Sequence, residues 1–152
     1  MNYETKLKAY MHEHDVKAEH LTFQQSCHSV AEAAEAVHAR PEDFVKSICL
    51  IADGNLVVAI VKGEDKVSTS EVGKIVNAQK IRTALPDEML EKTGYPCGGT
   101  PAFGYAAIFL IDPRVMEKEV VYSGGGSETS LVKASPNEIQ RANQGKIVRI
   151  RK

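Results

Sequence analysis

The chain of 152 residues has no tryptophan, and aromatic residues make up only 6% of it. Its core must be filled by aliphatic side chains, and a hydrophobic share of 43% supplies enough of them for one ordinary globular domain over residues 1–152. Cysteine is scarce: Cys27, Cys49 and Cys97 are an odd number with no CxxC pair. That argues against a disulfide framework and against a structural zinc site. Neither sign of charge prevails, because 19 Lys and Arg face 20 Asp and Glu for a net −1. Any nucleic-acid partner must then be held by a local patch and not by the field of the whole protein. No apolar run approaches the ~20 residues of a membrane span. No apolar stretch follows Met1-Asn2-Tyr3-Glu4-Thr5-Lys6 either, so the expectation is a cytoplasmic protein with reduced thiols and no signal peptide. A GxSxG elbow, an HExxH pair and a phosphate-binding P-loop are also missing.

What is present is dense local punctuation. Leu7, Tyr10 and Met11 predict a helix from Tyr3 to about Glu13, and Leu21-Thr22-Phe23 predicts a short strand. Capping-box patterns at Ser29-Val30-Ala31-Glu32 and Ser68-Thr69-Ser70-Glu71 open two further helices. Between them, the apolar runs Val45 to Ala52 and Leu56 to Val61 pair as a hairpin about Asp53-Gly54-Asn55. Strands are expected at Ile81 to Leu85, Ala106 to Ile111, Val120 to Ser123, Ser130 to Ala134 and Ile147 to Ile150. Pro86 opens a helix that Gly94 stops, and Ser135-Pro136-Asn137-Glu138 caps another to about Asn143. This order predicts an α+β fold with a mixed, mostly antiparallel β-sheet, closed or nearly closed into a barrel and flanked by helices.

Three features could carry chemistry. The loop Gly94-Tyr95-Pro96-Cys97-Gly98-Gly99-Thr100-Pro101-Ala102-Phe103-Gly104 holds four of the 11 glycines and two of the 6 prolines. Such a loop is stiff, and its outward N–H groups can hold an anion or a developing oxyanion. Lys46 heads an apolar strand and shares a face with Ile48 and Leu50, where an ammonium can bind phosphate or polarise a carbonyl. Ser123-Gly124-Gly125-Gly126-Ser127 is either a hairpin turn or a second place where a ligand comes close. Cys27-His28 and Cys97 also permit a thiol-nucleophile reading, although no known signature surrounds them. Lys146, Arg149, Arg151 and Lys152, with Lys74, Lys80 and Arg82, are the basic clusters available to a nucleic acid.

Lys46 in its apolar strand, the Gly98–Gly104 loop, and Ser123–Ser127 before a strand and the Ser135-Pro136-Asn137-Glu138 cap resemble the YbaK/ProX-type aminoacyl-tRNA editing domain, which is also found inserted in bacterial prolyl-tRNA synthetases. Ser29-Val30-Ala31-Glu32-Ala33-Ala34 followed by Val45-Lys46-Ser47 is similar to the start of that family. The resemblance covers roughly residues 20–145, with one departure: many relatives carry proline where this chain has Ala102, and Pro101 stands one place earlier. It implies a free-standing deacylase that hydrolyses the ester of mischarged tRNA, with Ala- or Cys-charged prolyl tRNA as the leading substrate. It further implies that Lys46 holds a phosphate of the terminal adenosine or the ester carbonyl. Main-chain N–H groups near Gly98 and Gly99 would steady the oxyanion, and a neighbouring ribose hydroxyl would help activate water. The implied substrate-binding residues are Gly98, Gly99, Thr100, Pro101, Gly104, Gly124, Gly125, Gly126 and Ser127. No cofactor, metal or membrane is implied; the partners are the tRNA acceptor end and, further, an aminoacyl-tRNA synthetase. Two other readings stay open: a non-catalytic tRNA- or synthetase-binding module on the same fold, and a thiol-dependent hydrolase.

Overall fold

The computed structural model describes every residue except Met1 and His28. Its centre is the hairpin of β1 (Val45–Ala52) and β2 (Asn55–Lys62). Ala52 pairs with Asn55, so the loop has two residues, and Asp53 and Gly54 both take positive φ, at 49° and 86°. That geometry matches the twist of the strands it joins. The Asp53 carboxylate also accepts from the N–H groups of Gln79, at 3.0 Å, and Lys80, at 2.8 Å, which ties the turn to the next strand.

The hairpin is buried on both faces. Val45, Cys49, Ile51, Val58 and Ile60 belong to one core, with Leu7 and Met11 of the N-terminal helix α1 (Tyr3–Glu13). Leu50, Ala52, Val57, Ala59 and Val61 belong to a second core, with Ile150 and with Val72 of α3 (Thr69–Val76). Burial on both faces is why these strands read as near-continuous apolar runs and not as alternating ones.

On the β1 side the sheet continues to β3 (Ile81–Thr83). On the β2 side it continues to β4 (Ile108–Ile111) and β5 (Lys146–Ile147), both in parallel pairings. A separate antiparallel sheet of three strands is ordered β6 (Glu19–Thr22), β7 (Ser130–Ala134), β8 (Val121–Gly124). The sheets are joined by a parallel bridge, Phe44 with Tyr122, whose rings stack at 5.0 Å.

Taken over both sheets, four of the six described strand pairings are antiparallel, but the sheets do not close into a barrel. The strands that would have to close it are too short: β3 pairs only with Leu50, Ile51 and Ala52, and β5 contributes two residues. The consequence matters for function. The first half of β1, from Val45 to Ile48, has no β3 neighbour and faces β8 across a gap.

The helices start where local capping dictates. Ser29, Ser68 and Ser135 accept from the N–H groups of Glu32, Glu71 and Glu138 and open α2 (Val30–Val37), α3 and α6 (Pro136–Asn143). Each such cap stabilises its helix by about 1 kcal/mol. α4 (Pro86–Thr93) ends on Gly94 at φ 81°. Three details differ from the sequence reading. The strand expected at Leu21–Phe23 lies at Glu19–Thr22. Asp112-Pro113 opens a four-residue helix, α5 (Pro113–Met116), with the Asp112 side chain as its cap. Past Ile147 the final segment leaves the sheet, because the Ile150 N–H donates to Asp112 Oδ1 at 3.0 Å.

Candidate active site

The open edge of β1 forms one wall of a cavity of about 240 Å³ between the two sheets. Lys46, Ser47 and Ile48 come from that edge, Tyr122, Ser123 and Gly124 from β8, and Cys97, Gly98 and Thr100 from the glycine-rich loop. Lys46 stands directly at the edge because the strand begins there. Main-chain groups add to the wall. The Ala84 N–H donates to the Cys49 carbonyl on the β3 side of the strand. By the alternation of an antiparallel ladder, the N–H and C=O of Ser47 point to the same side, where β3 no longer reaches.

Lys46 is the only charged residue among those described as lining the cavity. No described carboxylate neutralises it, so the cavity favours an anion or an oxygen that is gaining negative charge.

The two glycine-rich segments meet, but mostly main chain to main chain. The Gly126 N–H donates to the Gly99 carbonyl at 2.8 Å. A Cβ on Gly99 would lie 2.5 Å from the Ser127 nitrogen, and one on Gly124 would collide with the Thr100 carbonyl oxygen. These glycines are there so that two loops can touch.

Of the catalytic and substrate-binding residues implied by the resemblance, Lys46, Gly98, Thr100 and Gly124 line the cavity. Gly99, Gly125 and Gly126 hold its wall from behind. The Gly99 N–H is already bonded to the Pro96 carbonyl at 3.1 Å, so it does not face a ligand. The Gly98 N–H has no acceptor among the described residues, and Gly98 has φ 92°. Pro101 is buried, and its carbonyl accepts from Tyr105 Oη at 2.6 Å. Gly104 packs against Leu7 and Tyr10 of α1. Ser127 Oγ donates to Glu4 Oε2 at 2.8 Å and lies 2.7 Å from Ser130 Oγ, committed to the protein itself.

Sequence reasoning named Ser47 and Ser123 only as members of longer segments, and it missed Tyr122 and Met89 as lining residues. It singled out Cys27 and Cys97 for another reason. Both line the cavity, but burial, followed by the Glu32 charge, pushes the Cys27 thiol up and away from thiolate. His28, its sequence neighbour, lies outside the described residues. Cys49 is buried behind the wall, and burial pushes its thiol up to about 12.

The basic clusters are partly neutralised. Arg151 bonds Asp112 at 2.8 Å, Arg82 forms a two-pronged pair with Glu88 at 2.6 and 2.7 Å, and Lys74 lies 3.6 Å from Glu71. No described helix is long and apolar enough to cross a membrane.

The site is thus a cavity walled by two abutting loops in an open two-sheet α+β domain, with Lys46 as its one charged lining residue among those described. The model of the aminoacyl-tRNA editing domain matches residues 24–142, and the chain belongs to that family. A proline–tRNA ligase of Acidithiobacillus ferrooxidans is 34% identical over 70 residues, which is 46% of this chain and 12% of the ligase. The chain therefore spans only a small part of such a ligase. YwhH of Bacillus subtilis, an uncharacterized protein, is 27% identical over 128 residues, covering 82% of this chain and 81% of YwhH. A solved structure described as a candidate trans-editing enzyme for prolyl tRNA synthetase superposes with a TM-score of 0.93 at 21% identity, covering 100% of this chain and 98% of that one. At that identity the likeness carries the fold.

Proposed function

We propose that this protein is a trans-acting deacylase that hydrolyses the ester linking a wrong amino acid to the acceptor end of a tRNA, with Ala- or Cys-charged prolyl tRNA as the leading substrate. Membership of the editing-domain family supports the reaction class. The observation that carries the reading is Lys46, the one described charge in a cavity whose other polar groups are neutral.

Water adds to the ester carbonyl, and the carbonyl oxygen becomes an oxyanion. The tetrahedral intermediate then expels the ribose oxygen, which takes a proton to leave a free terminal hydroxyl and the amino acid. Lys46 steadies the oxyanion or the terminal phosphate, and the Gly98 N–H is the main-chain donor left to assist. No described side chain lining the cavity is an evident general base, so the neighbouring ribose hydroxyl of the substrate is assigned the activation of water. A second pocket of this kind has a clear purpose: a synthetic site for proline rejects a smaller side chain by only about 1–3 kcal/mol per methylene. In this reading the protein works in the cytoplasm, beside a synthetase.

The test is a panel of mischarged tRNAs with wild-type protein and Lys46→Ala. Turnover should fall at least about a hundredfold in the variant, the scale of losing one oxyanion contact. Binding without turnover in both forms would favour the non-catalytic module instead. Full activity after thiol alkylation would dispose of the Cys27 or Cys97 nucleophile.

A further inference from the structure

The seam between the two loops hangs on one peptide unit. The Gly126 N–H donates to the Gly99 carbonyl at 2.8 Å. Among the described residues, that is the one main-chain hydrogen bond between the glycine-rich loop and the Ser123–Ser127 segment. The carbonyl of the same peptide unit, on Gly125, accepts from His20 Nε2 at 2.8 Å. A peptide unit is planar and trans, so its N–H and C=O point opposite ways. Gly99 therefore holds it from one side and His20 from the other.

His20 is presented by β6, where it pairs with Val132 of β7. A carbonyl only accepts, so Nε2 carries the ring hydrogen. Nδ1 is buried and finds no partner among the described residues. A buried ring nitrogen left unpaired costs free energy, and an aliphatic side chain in its place would not incur that cost. What the imidazole adds is the bond to Gly125. Glu4 grips the same segment by a side chain alone, accepting from Ser127 Oγ at 2.8 Å, and leaves the main chain of Gly125 and Gly126 to His20. Both His20 and Glu4 lie ahead of residue 24, where the match to the editing-domain model begins.

The far end of this chain of bonds is the cavity wall. Gly99 follows Gly98, which lines the cavity and whose N–H has no acceptor among the described residues. Three consecutive glycines leave the Gly125–Gly126 peptide free to rotate unless something outside the loop fixes it. A main-chain donor that is to steady an oxyanion must be aimed before the reaction begins. We propose that His20 is a positioning residue for the cavity: by fixing the Gly125–Gly126 peptide unit it holds the Gly98–Gly99 turn in place and aims the Gly98 N–H at the reacting group. The inference rests on the deacylase reading for its reaction and on the hydrogen bonds alone for the hold on the loop.

The experiment compares wild type with His20→Gln, His20→Asn and His20→Leu in the full chain. A glutamine amide nitrogen reaches the place of Nε2, an asparagine amide only that of Nδ1, and leucine fills the space without a donor. Amide hydrogen exchange at Gly126 and Gly99, read by NMR, reports the hold on the loop whatever the activity. Exchange at both should quicken about tenfold in His20→Leu and His20→Asn, the scale of one hydrogen bond lost, and return close to wild type in His20→Gln. In deacylation of Ala-charged prolyl tRNA, kcat should fall about tenfold in the same two variants with KM in place, and His20→Gln should recover it. That split marks an interaction made only in the transition state. Wild-type exchange in His20→Leu, or a glutamine variant no better than the asparagine one, would overturn the proposal. So would quickened exchange with kcat unchanged, or a raised KM as the whole effect. If wild type turns over no charged tRNA, the deacylase reading falls, and the exchange pattern still decides whether His20 holds the loop. If His20→Leu does not fold, the comparison of glutamine with asparagine decides, since both keep a polar side chain.

Discussion

Two buried polar places in this protein are built on opposite plans. At the end of β4, Asp112 is 0% exposed, and its carboxylate accepts from the Ile150 N–H at 3.0 Å, the Arg114 N–H at 3.1 Å and Arg151 Nη1 at 2.8 Å. Every contact there joins protein to protein, and the result is a clamp on the C-terminal segment. Around the cavity, Lys46 and Ser47 on the open edge of β1 and Ser123 on β8 meet no such partners among the described residues. The chemistry at the two places is of one kind, and the difference lies in who completes it. Polar groups that close on the protein build structure, and those left open inside a cavity are available to a ligand.

The strongest way to break this contrast is to open the clamp. Asp112→Ala leaves the Ile150 N–H and Arg151 without their acceptor and should cost about 3 kcal/mol of stability, read as a lower midpoint in urea. Deacylation per folded molecule should hold, because Asp112 does not line the cavity. Next in size is the seam between the loops. Gly124→Ala places a methyl against the Thr100 carbonyl oxygen and should cost about 1–3 kcal/mol, the range for overpacking. Unlike the clamp variant, it should also lower activity per folded molecule, since Gly124 and Thr100 are both part of the cavity wall. If activity falls in the first variant and holds in the second, the division between structure and site is wrong.

Much of the fold was legible because its signals are local. The three serine caps sit three residues before Glu32, Glu71 and Glu138, and each forms as its sequence pattern predicts. The β1–β2 hairpin follows from Asp53-Gly54 and two apolar runs. Closure of the sheet was not legible, because it depends on whether distant strands are long enough to pair, and β3 and β5 are not. Lys46 was singled out for sharing a face with Ile48 and Leu50. In the structure Leu50 belongs to the second core, with Ile48 packed against it, and Lys46 reaches the cavity because its end of the strand lacks a neighbour. The glycine clusters were read as places where a ligand comes close; at Gly99 and Gly124 what comes close is the other loop. Ser47 and Ser123 were named only as members of longer segments, and nothing in the sequence marked their hydroxyls as unbonded among the described residues. A serine in an apolar strand looks the same in sequence whether its hydroxyl is bonded or not.

The smallest effect concerns polar groups at the surface that are closed in the manner of Asp112. Glu138 accepts from the Lys17 N–H at 2.6 Å and from Arg141 Nε at 2.9 Å, joining α6 to the segment after α1. The Arg141 guanidinium, more than any other neighbour, holds the Glu138 carboxyl down at about 2. A carboxylate whose folded value is depressed stabilises the protein at any pH above its unfolded value, near 4.3, and that contribution fades as pH falls toward 2. Glu138→Gln should therefore cost about 1 kcal/mol at pH 7, the scale of a charge-assisted bond at a partly exposed site. The gap between variant and wild type should narrow steadily from pH 4.5 to pH 2.5 in chemical denaturation. Arg82 holds Glu88 down to about 2 in the same way, so some acid sensitivity will persist in the Glu138 variant. Neither pair touches the cavity, so at neutral pH the preference between acyl groups should be the same in Glu138→Gln as in wild type. A changed preference would mean that the closed groups and the open ones are coupled, and that the cavity is held in shape from as far away as α6.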